Sequence, residues 1–325
     1  NVAFSANLAT TSSGDIYAMA GSTVTLNNVT GLTQATLLGA DLTGSDLSTG
    51  TLTEIRVRDL TACPDTLPDE WTCQSQMILG PFANLADADL SGLDLSVTSL
   101  SNAVFKNTTA LSLAGCPLAL PSAIACVADA NGGYTLVGTG LVMDGADLSG
   151  ANLTNTNFDG ADVSDITAIN LEACLPISIT EDYFCVDTQS AGTVLAGPTV
   201  NLTTVNLTNA VFPEESSLSG ANLTSATLNT GVLEAVDLTN VTMANASMIG
   251  TVCSDADFTN STMTGVNLTN GVLENTDLTG VVFSNGDLEG AVANGVIFTG
   301  ANLSRVVLKG LVASGATMDN ATVTT

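Results

Sequence analysis

The chain has 325 residues, 45% hydrophobic and 11% charged, with 32 acidic residues against five basic ones, no histidine and a formal net charge of −27. That charge argues against a nucleic-acid partner or an anionic membrane surface, while the apolar content excludes a disordered acidic tail. No run approaches 18 consecutive apolar residues, so no membrane insertion is expected, and without histidine the commonest general base and nucleophile activator are missing.

In chain order, residues 1–21 carry no sustained pattern. Ala6-Asn7-Leu8 begins one that Gly14-Asp15-Ile16-Tyr17 interrupts, and the segment is expected to be an N-terminal cap or arm. Residues 22–200 form the second segment. From Gly31 on, a large apolar residue recurs every five positions, at Leu32, Leu37, Leu42, Leu47 and Leu52. This register breaks three times in the same way. Leu60-Thr61-Ala62-Cys63 leads to a loop closing at Cys73, Leu113-Ala114-Gly115-Cys116 to one closing at Cys126, and Leu171-Glu172-Ala173-Cys174 to one closing at Cys185. Each loop (63–73, 116–126, 174–185) contains proline and is followed by a similar re-entry, so a longer repeat of about 50–60 residues overlies the short one.

Six cysteines in three loop-bounding pairs read as disulfides. Each bridge would restrict an excursion that has no core of its own, contributing roughly 2–3 kcal/mol on the loop-entropy model. A metal site is the rival reading, but it would need short C-x-x-C spacing or histidine, and neither is present. Disulfides imply an oxidising compartment, hence an extracellular, secreted or cell-surface location, and a chain that starts at Asn1 rather than Met fits a processed, exported form. The seventh cysteine, Cys253, falls at an inward position among Met and Phe and reads as a buried core thiol.

Residues 201–325 form the third segment, uninterrupted from Ser216. If the central residue of each unit is called i, all 22 entries from Leu218 to Val323 are apolar and 18 are Leu, Met or Phe. At i−2 the same units carry Ala, Gly, Val, Ser or Thr, with Leu311 the large exception. On an α-helix a five-residue step rotates by about 140°, so the apolar positions would wind around the axis. On a straight strand the step would alternate faces. The chain must therefore turn at every unit, and the units must stack, because none can bury its two inward residues alone. The fold class is an all-β solenoid.

Units such as Ala221-Asn222-Leu223-Thr224-Ser225, Ala301-Asn302-Leu303-Ser304-Arg305 and Gly39-Ala40-Asp41-Leu42-Thr43 resemble the A-(D/N)-L-x-x pattern of pentapeptide-repeat proteins. The resemblance covers most of the chain. It implies a right-handed quadrilateral β-helix, one unit per side and about 20 residues per coil, here with three disulfide-closed loop excursions. At that coil length the outward residues sort by face. One face collects Val232, Val252, Val272, Val292 and Val312 at i−1, an apolar column on a surface otherwise Thr, Asn, Asp and Ser, and a candidate lateral interface. The next face carries Asp237, Asp257 and Asp277, read as solvated carboxylates bonding along the ladder rather than as a calcium site. Twelve N-x-S/T sequons occur, many of them generated automatically by units of the A-N-L-T form. Asn240, Asn260 and Asn320 share one corner and are the candidate sites for N-linked glycans. Ala321, Thr322 and Val323 run to the end without a polar cap and are a candidate stacking end.

No phosphate loop, nucleophile elbow or metal motif is present, so no enzyme and no cofactor is expected. The expected function is a secreted structural protein that binds copies of itself, the head-to-tail subunit of an extracellular filament or coat. The resemblance implies an alternative, an acidic DNA mimic that binds a topoisomerase, from which the cysteine loops depart. The Thr239, Thr259, Thr279 and Thr299 column suggests ice binding as a further alternative.

Overall fold

The computed structural model of the chain describes residues 8–10, 16–18, 23–26, 31–154, 156–158, 160–174, 183–188 and 190–324. Most of the expected arm at 1–21, the sequon asparagine Asn28 and the interior of the third loop, 175–182, lie outside the described residues. Within the arm, Leu8–Thr10 pairs antiparallel with Ile16–Ala18, which in turn pairs parallel with Thr36–Leu38. Two compact units form, one from residues 1–143 with 156–162, the other from 144–155 with 163–325.

In the second unit, from Ser217 to Asn302, each i−1 residue makes a parallel β-bridge to the i−1 residue 20 positions later. Asp237 pairs with Asp257, Thr242 with Thr262, Ser247 with Asn267 and Val252 with Val272. Four pentapeptides therefore complete one coil of a β-helix. The i residues fill its interior, and from Leu218 to Leu303 none is more than 2% exposed. Their large side chains alternate with the small i−2 residues, which is why only Ala, Val, Gly, Ser and Thr fit there.

The backbone donors of each pentapeptide can be followed individually. The i residue donates to the next coil (Leu238 to the Asp257 carbonyl, 2.7 Å), as does i+2 (Asn240 to Thr259, 3.0 Å). The i−1 residue donates to the previous coil (Asp237 to Ser216, 2.9 Å). The i−2 residue closes the tight turn onto the preceding i carbonyl (Ala221 to Leu218, 2.9 Å). That leaves i+1, and its donor is taken by an Asp or Asn at i−1: Thr239 by Asp237 Oδ1, Thr259 by Asp257 Oδ1 and Ser304 by Asn302 Oδ1. In units with Asp or Asn at i−1, the A-(D/N)-L signature thus gives every backbone N–H a partner.

Each turn also places its i+2 residue at positive φ, as with Asn240 (58°), Asn260 (61°) and Gly280 (69°). Glycine and asparagine tolerate this region best, and they hold most of the corner positions, this corner reading Gly220, Asn240, Asn260, Gly280, Gly300 and Asn320. A Cβ on Gly280 would come within 2.7 Å of Asn260 Oδ1, because the asparagine side chain lies over the glycine of the next coil.

The first unit uses the same coil, with Asn84 bridged to Val104 and Asp89 to Thr109, around a core containing Leu42, Leu90, Leu95 and Leu100. It is interrupted by two hairpins, Thr72–Gln74 with Met77–Leu79 and Ile124–Ala128 with Tyr134–Gly138, while the second unit carries a third, Phe184–Asp187 with Thr193–Ala196. Read from the sequence, each loop ends at its second cysteine. In the structure that cysteine lies on the first hairpin strand, and the re-entry segment is the second strand: Cys73 pairs with Ile78, Cys126 with Leu136 and Cys185 with Leu195. The residue that opened each excursion also donates its N–H to the start of the returning segment, Leu60 to the Gln76 carbonyl in the turn, and Leu113 and Leu171 to the Tyr134 and Thr193 carbonyls of the second strands. The departures therefore extend beyond the cysteine pair to the end of each hairpin. In the second strands Met77, Ile78 and Leu79 are all buried, as are Val194, Leu195 and Ala196, so they lack the one-sided pattern of a pentapeptide.

Candidate functional surface

The three cysteine pairs are joined as their spacing predicts, Cys63–Cys73, Cys116–Cys126 and Cys174–Cys185, with Cα separations of 6.1, 6.0 and 6.1 Å. Each ties the strand leaving the coil to the first hairpin strand. Two residues before the second cysteine, Trp71 and Tyr183 lie flat on Gly80 and Gly197; a Cβ at either glycine would fall 2.1 or 2.3 Å from the ring. Cys253 is fully buried, and burial pushes its thiol up to about 12, which leaves it protonated and unreactive.

The apolar column is present. Val232, Val252, Val272, Val292 and Val312 bridge one another in sequence, the first four half-buried and Val312 51% exposed. It is longer than the five-residue count indicated, because Val211 bridges Val232 and is 64% exposed. One extra residue in the Pro213-Glu214-Glu215 turn makes that step 21 rather than 20. The signal was readable in Phe212, which holds the inward position one residue out of phase.

Next to it, the ladder Ser217, Asp237, Asp257, Asp277, Ile297, Thr317 presents three carboxylates in register. They bond chiefly within their own turns, to the N–H two residues on, rather than along the ladder. Ser217 Oγ donating to Asp237 Oδ2 at 2.8 Å is the coil-to-coil exception. Thr239, Thr259, Thr279 and Thr299 are half-buried. Asn240, Asn260 and Asn320 stand exposed at the positive-φ corner, so turn geometry by itself accounts for asparagine there. Ala321 is half-buried and Thr322 and Val323 are exposed, in a coil whose inward positions Leu308 and Met318 are 37% and 45% exposed.

Cations are few, and three of the five, Arg56, Arg58 and Lys309, are engaged. Arg56 bonds Asp87 Oδ2 at 2.6 Å and the Ala86 carbonyl at 3.0 Å, Arg58 donates to the Asp87 carbonyl, and Lys309 bonds Glu289 at 2.6 Å. The Arg56 and Arg58 contacts stitch the coil before the first hairpin to the coil after it. A groove of about 360 Å³ under the tip of the third hairpin is lined by Thr167, Asn170, Asn201, Thr203 and other uncharged residues. It offers hydroxyls and amides but no acid, base or nucleophile of unusual reactivity. Among the described residues there is no group of three or more His, Cys, Asp and Glu placed to hold a metal ion, and no helix long and apolar enough to cross a membrane.

The pentapeptide-repeat family model matches in eight copies, at residues 82–110, 139–166, 216–252, 237–275, 256–292, 272–310 and 287–324, together just over half the chain. Among solved structures, the chain is similar to HetL, a pentapeptide repeat protein involved in heterocyst differentiation regulation from the cyanobacterium Nostoc sp. strain PCC 7120 (21% identity, 91% of this chain, 86% of that one, TM-score 0.28). It is also similar to the pentapeptide repeat protein Rfr23 from the cyanobacterium Cyanothece 51142 (24%, 37% and 89%, TM-score 0.24). A trypsin-treated QnrB1, a plasmid-mediated fluoroquinolone resistance protein, matches at 16% over 72% of this chain and 93% of that one, TM-score 0.21. Superposition is poor in every case, and the repeat itself carries the assignment. No curated protein matches the chain significantly in sequence.

Proposed function

The chain belongs to the pentapeptide-repeat family, whose coils form a right-handed β-helix, and from that premise we propose that it is an exported structural protein, not an enzyme, built to associate with copies of itself. The coil is taken as four-sided, one pentapeptide to a side. The observation that carries the reading is the set of three disulfides. They brace hairpins that interrupt a core able to stack without them, and such bridges persist in oxidising compartments. A secreted filament or coat is the setting that uses an acidic, chemically quiet β-helix. No loss of catalytic machinery has to be explained.

In that setting Ala321, Thr322 and Val323 are proposed as one half of a longitudinal contact, in which the coil of a second copy covers theirs. This contact requires a mature chain ending there, which intact mass of the exported protein decides. The same mass measurement tests N-linked glycans at Asn240, Asn260 and Asn320, since each occupied site adds the mass of its glycan.

The test of the whole reading is fractionation of the source cells, followed by electron microscopy of the extracellular material with a specific antibody. Labelled filaments or a labelled coat, with all three cysteine pairs oxidised, are expected. A reduced, cytosolic protein that captures a topoisomerase would overturn the proposal in favour of DNA mimicry.

A further inference from the structure

We propose that the valine ladder Val211, Val232, Val252, Val272, Val292, Val312 is the surface on which a second copy of this chain packs side by side; this rests on the reading of the protein as a self-associating structural subunit. The first argument is local. At i−1, Asp or Asn caps its own turn by accepting the i+1 N–H, as Asp257 and Asn302 do. Valine cannot, so Val232, Val252, Val272, Val292 and Val312 forgo that hydrogen bond in five successive coils, while after Val211 the i+1 residue is Pro213, which has no N–H to cap. One of the orphaned donors is rescued from the coil below, the Ser314 N–H by Asn294 Oδ1 at 3.0 Å. Strand propensity alone does not account for six valines, because threonine serves at Thr242 and Thr262.

The second argument is charge. One edge of the strip carries Glu214, Glu234, Ser254, Glu274, Asn294 and Ser314; the other carries Thr208, Asn229, Ile249, Thr269, Glu289 and Lys309. If two copies pack with coils running in opposite directions, Glu234 meets Asn294 and Glu274 meets Ser254. If they run in the same direction, Glu234 meets Asn229 and Glu289, already paired with Lys309, meets Asn294. Neither two-fold places carboxylate against carboxylate. The adjacent Asp237, Asp257, Asp277 face would do so in both senses, which makes the valine face the self-complementary one.

The third argument is size. Six strands at about 4.8 Å spacing make a strip about 25 Å long and about 10 Å wide. Its area, on the order of 300 Å² per copy, is well below the ~800 Å² of a stable pair. One contact is therefore weak and reversible, and it becomes effective when many copies are already aligned.

Sedimentation equilibrium from micromolar to millimolar protein tests this. Reversible self-association is expected, with the association constant at least tenfold lower in Val252→Thr/Val272→Thr/Val292→Thr at an unchanged circular-dichroism melt. As a readout independent of any stability change, Val252→Cys should cross-link into a covalent dimer on mild oxidation, and Thr262→Cys, two pentapeptide positions around the coil, should not. An unchanged association constant in the triple variant, equal cross-linking at both positions, or a wild type monomeric at millimolar concentration overturns the ladder. Labelled extracellular filaments or coat persisting alongside any of these would leave the structural role standing, whereas their absence would remove that role by itself.

Discussion

Residues 216–304 and the three disulfide hairpins solve the same problem by opposite means. In the regular stretch every pentapeptide leans on the coils before and after it, every inward residue is buried, and no cross-link is present. In the hairpins the partner strand is local and antiparallel, both faces of the returning strand are buried, and a disulfide ties the first strand back to the segment leaving the coil. Stacking distributes stability over nearest neighbours, so that a defect spreads no further than adjacent coils. A hairpin reaches the neighbouring coil through its second strand, Leu136 donating to the Ala110 carbonyl and Leu195 to the Ala168 carbonyl, and otherwise depends on a few fixed contacts. Interruption of a solenoid therefore needs covalent and aromatic support that continuation does not.

The largest effect that would sharpen this contrast is expected in the regular stretch. Phe258 is completely buried, and Phe258→Ala should cost about 3–5 kcal/mol, read as loss of amide-exchange protection in its own coil and the two flanking ones. Equal loss across the whole chain would break the nearest-neighbour picture. Next, Cys116→Ser/Cys126→Ser should cost about 3 kcal/mol by the loop-entropy estimate, confined to Ile124–Gly138 in exchange experiments and absent from residues 216–304. Gly197→Ala must push the Tyr183 ring aside and should cost about 1–3 kcal/mol, seen as a lower melting temperature. Asn260→Ala puts a less tolerant residue at φ 61° and should cost about 1 kcal/mol, while Asn260→Gly should be near neutral; equal costs would mean the corner is held by the amide and not by φ.

The smallest expected effect is with pH. Hydrogen bonds from the side chains of Thr43, Thr66, Ser91 and Ser96, supported by backbone N–H donors, hold the Asp41, Asp46, Asp89 and Asp94 carboxyls below the usual range. A carboxyl whose pKa is lower folded than unfolded stabilises the fold above the unfolded value and loses that contribution as pH falls. Melting temperature should thus decline below about pH 4. Replacing all four with Asn should flatten the decline, and a slope unchanged by those replacements would assign it to other groups.

The chain by itself determined a good deal. A five-residue period over 22 units admits neither helix nor straight strand, so the solenoid and the inward residues follow from counting, and the valine column follows once the family resemblance supplies a coil of about 20 residues. The cysteine pairs follow from short, repeated spacing, because ring closure favours near partners. Three things only the tertiary structure decided. The second strands of the hairpins look like ordinary re-entry in sequence, since antiparallel pairing is a relation between segments and leaves no period of its own. Val211 lies outside the count because a single inserted residue near Pro213 shifts sequence phase while leaving spatial register intact. The roles of Asp and Asn at i−1 and of Asn at i+2 needed coordinates as well. The same residue types suit solvent, ladders, caps and glycans, and only position shows that the i−1 oxygen faces the i+1 N–H and that the corner asparagine stands at positive φ.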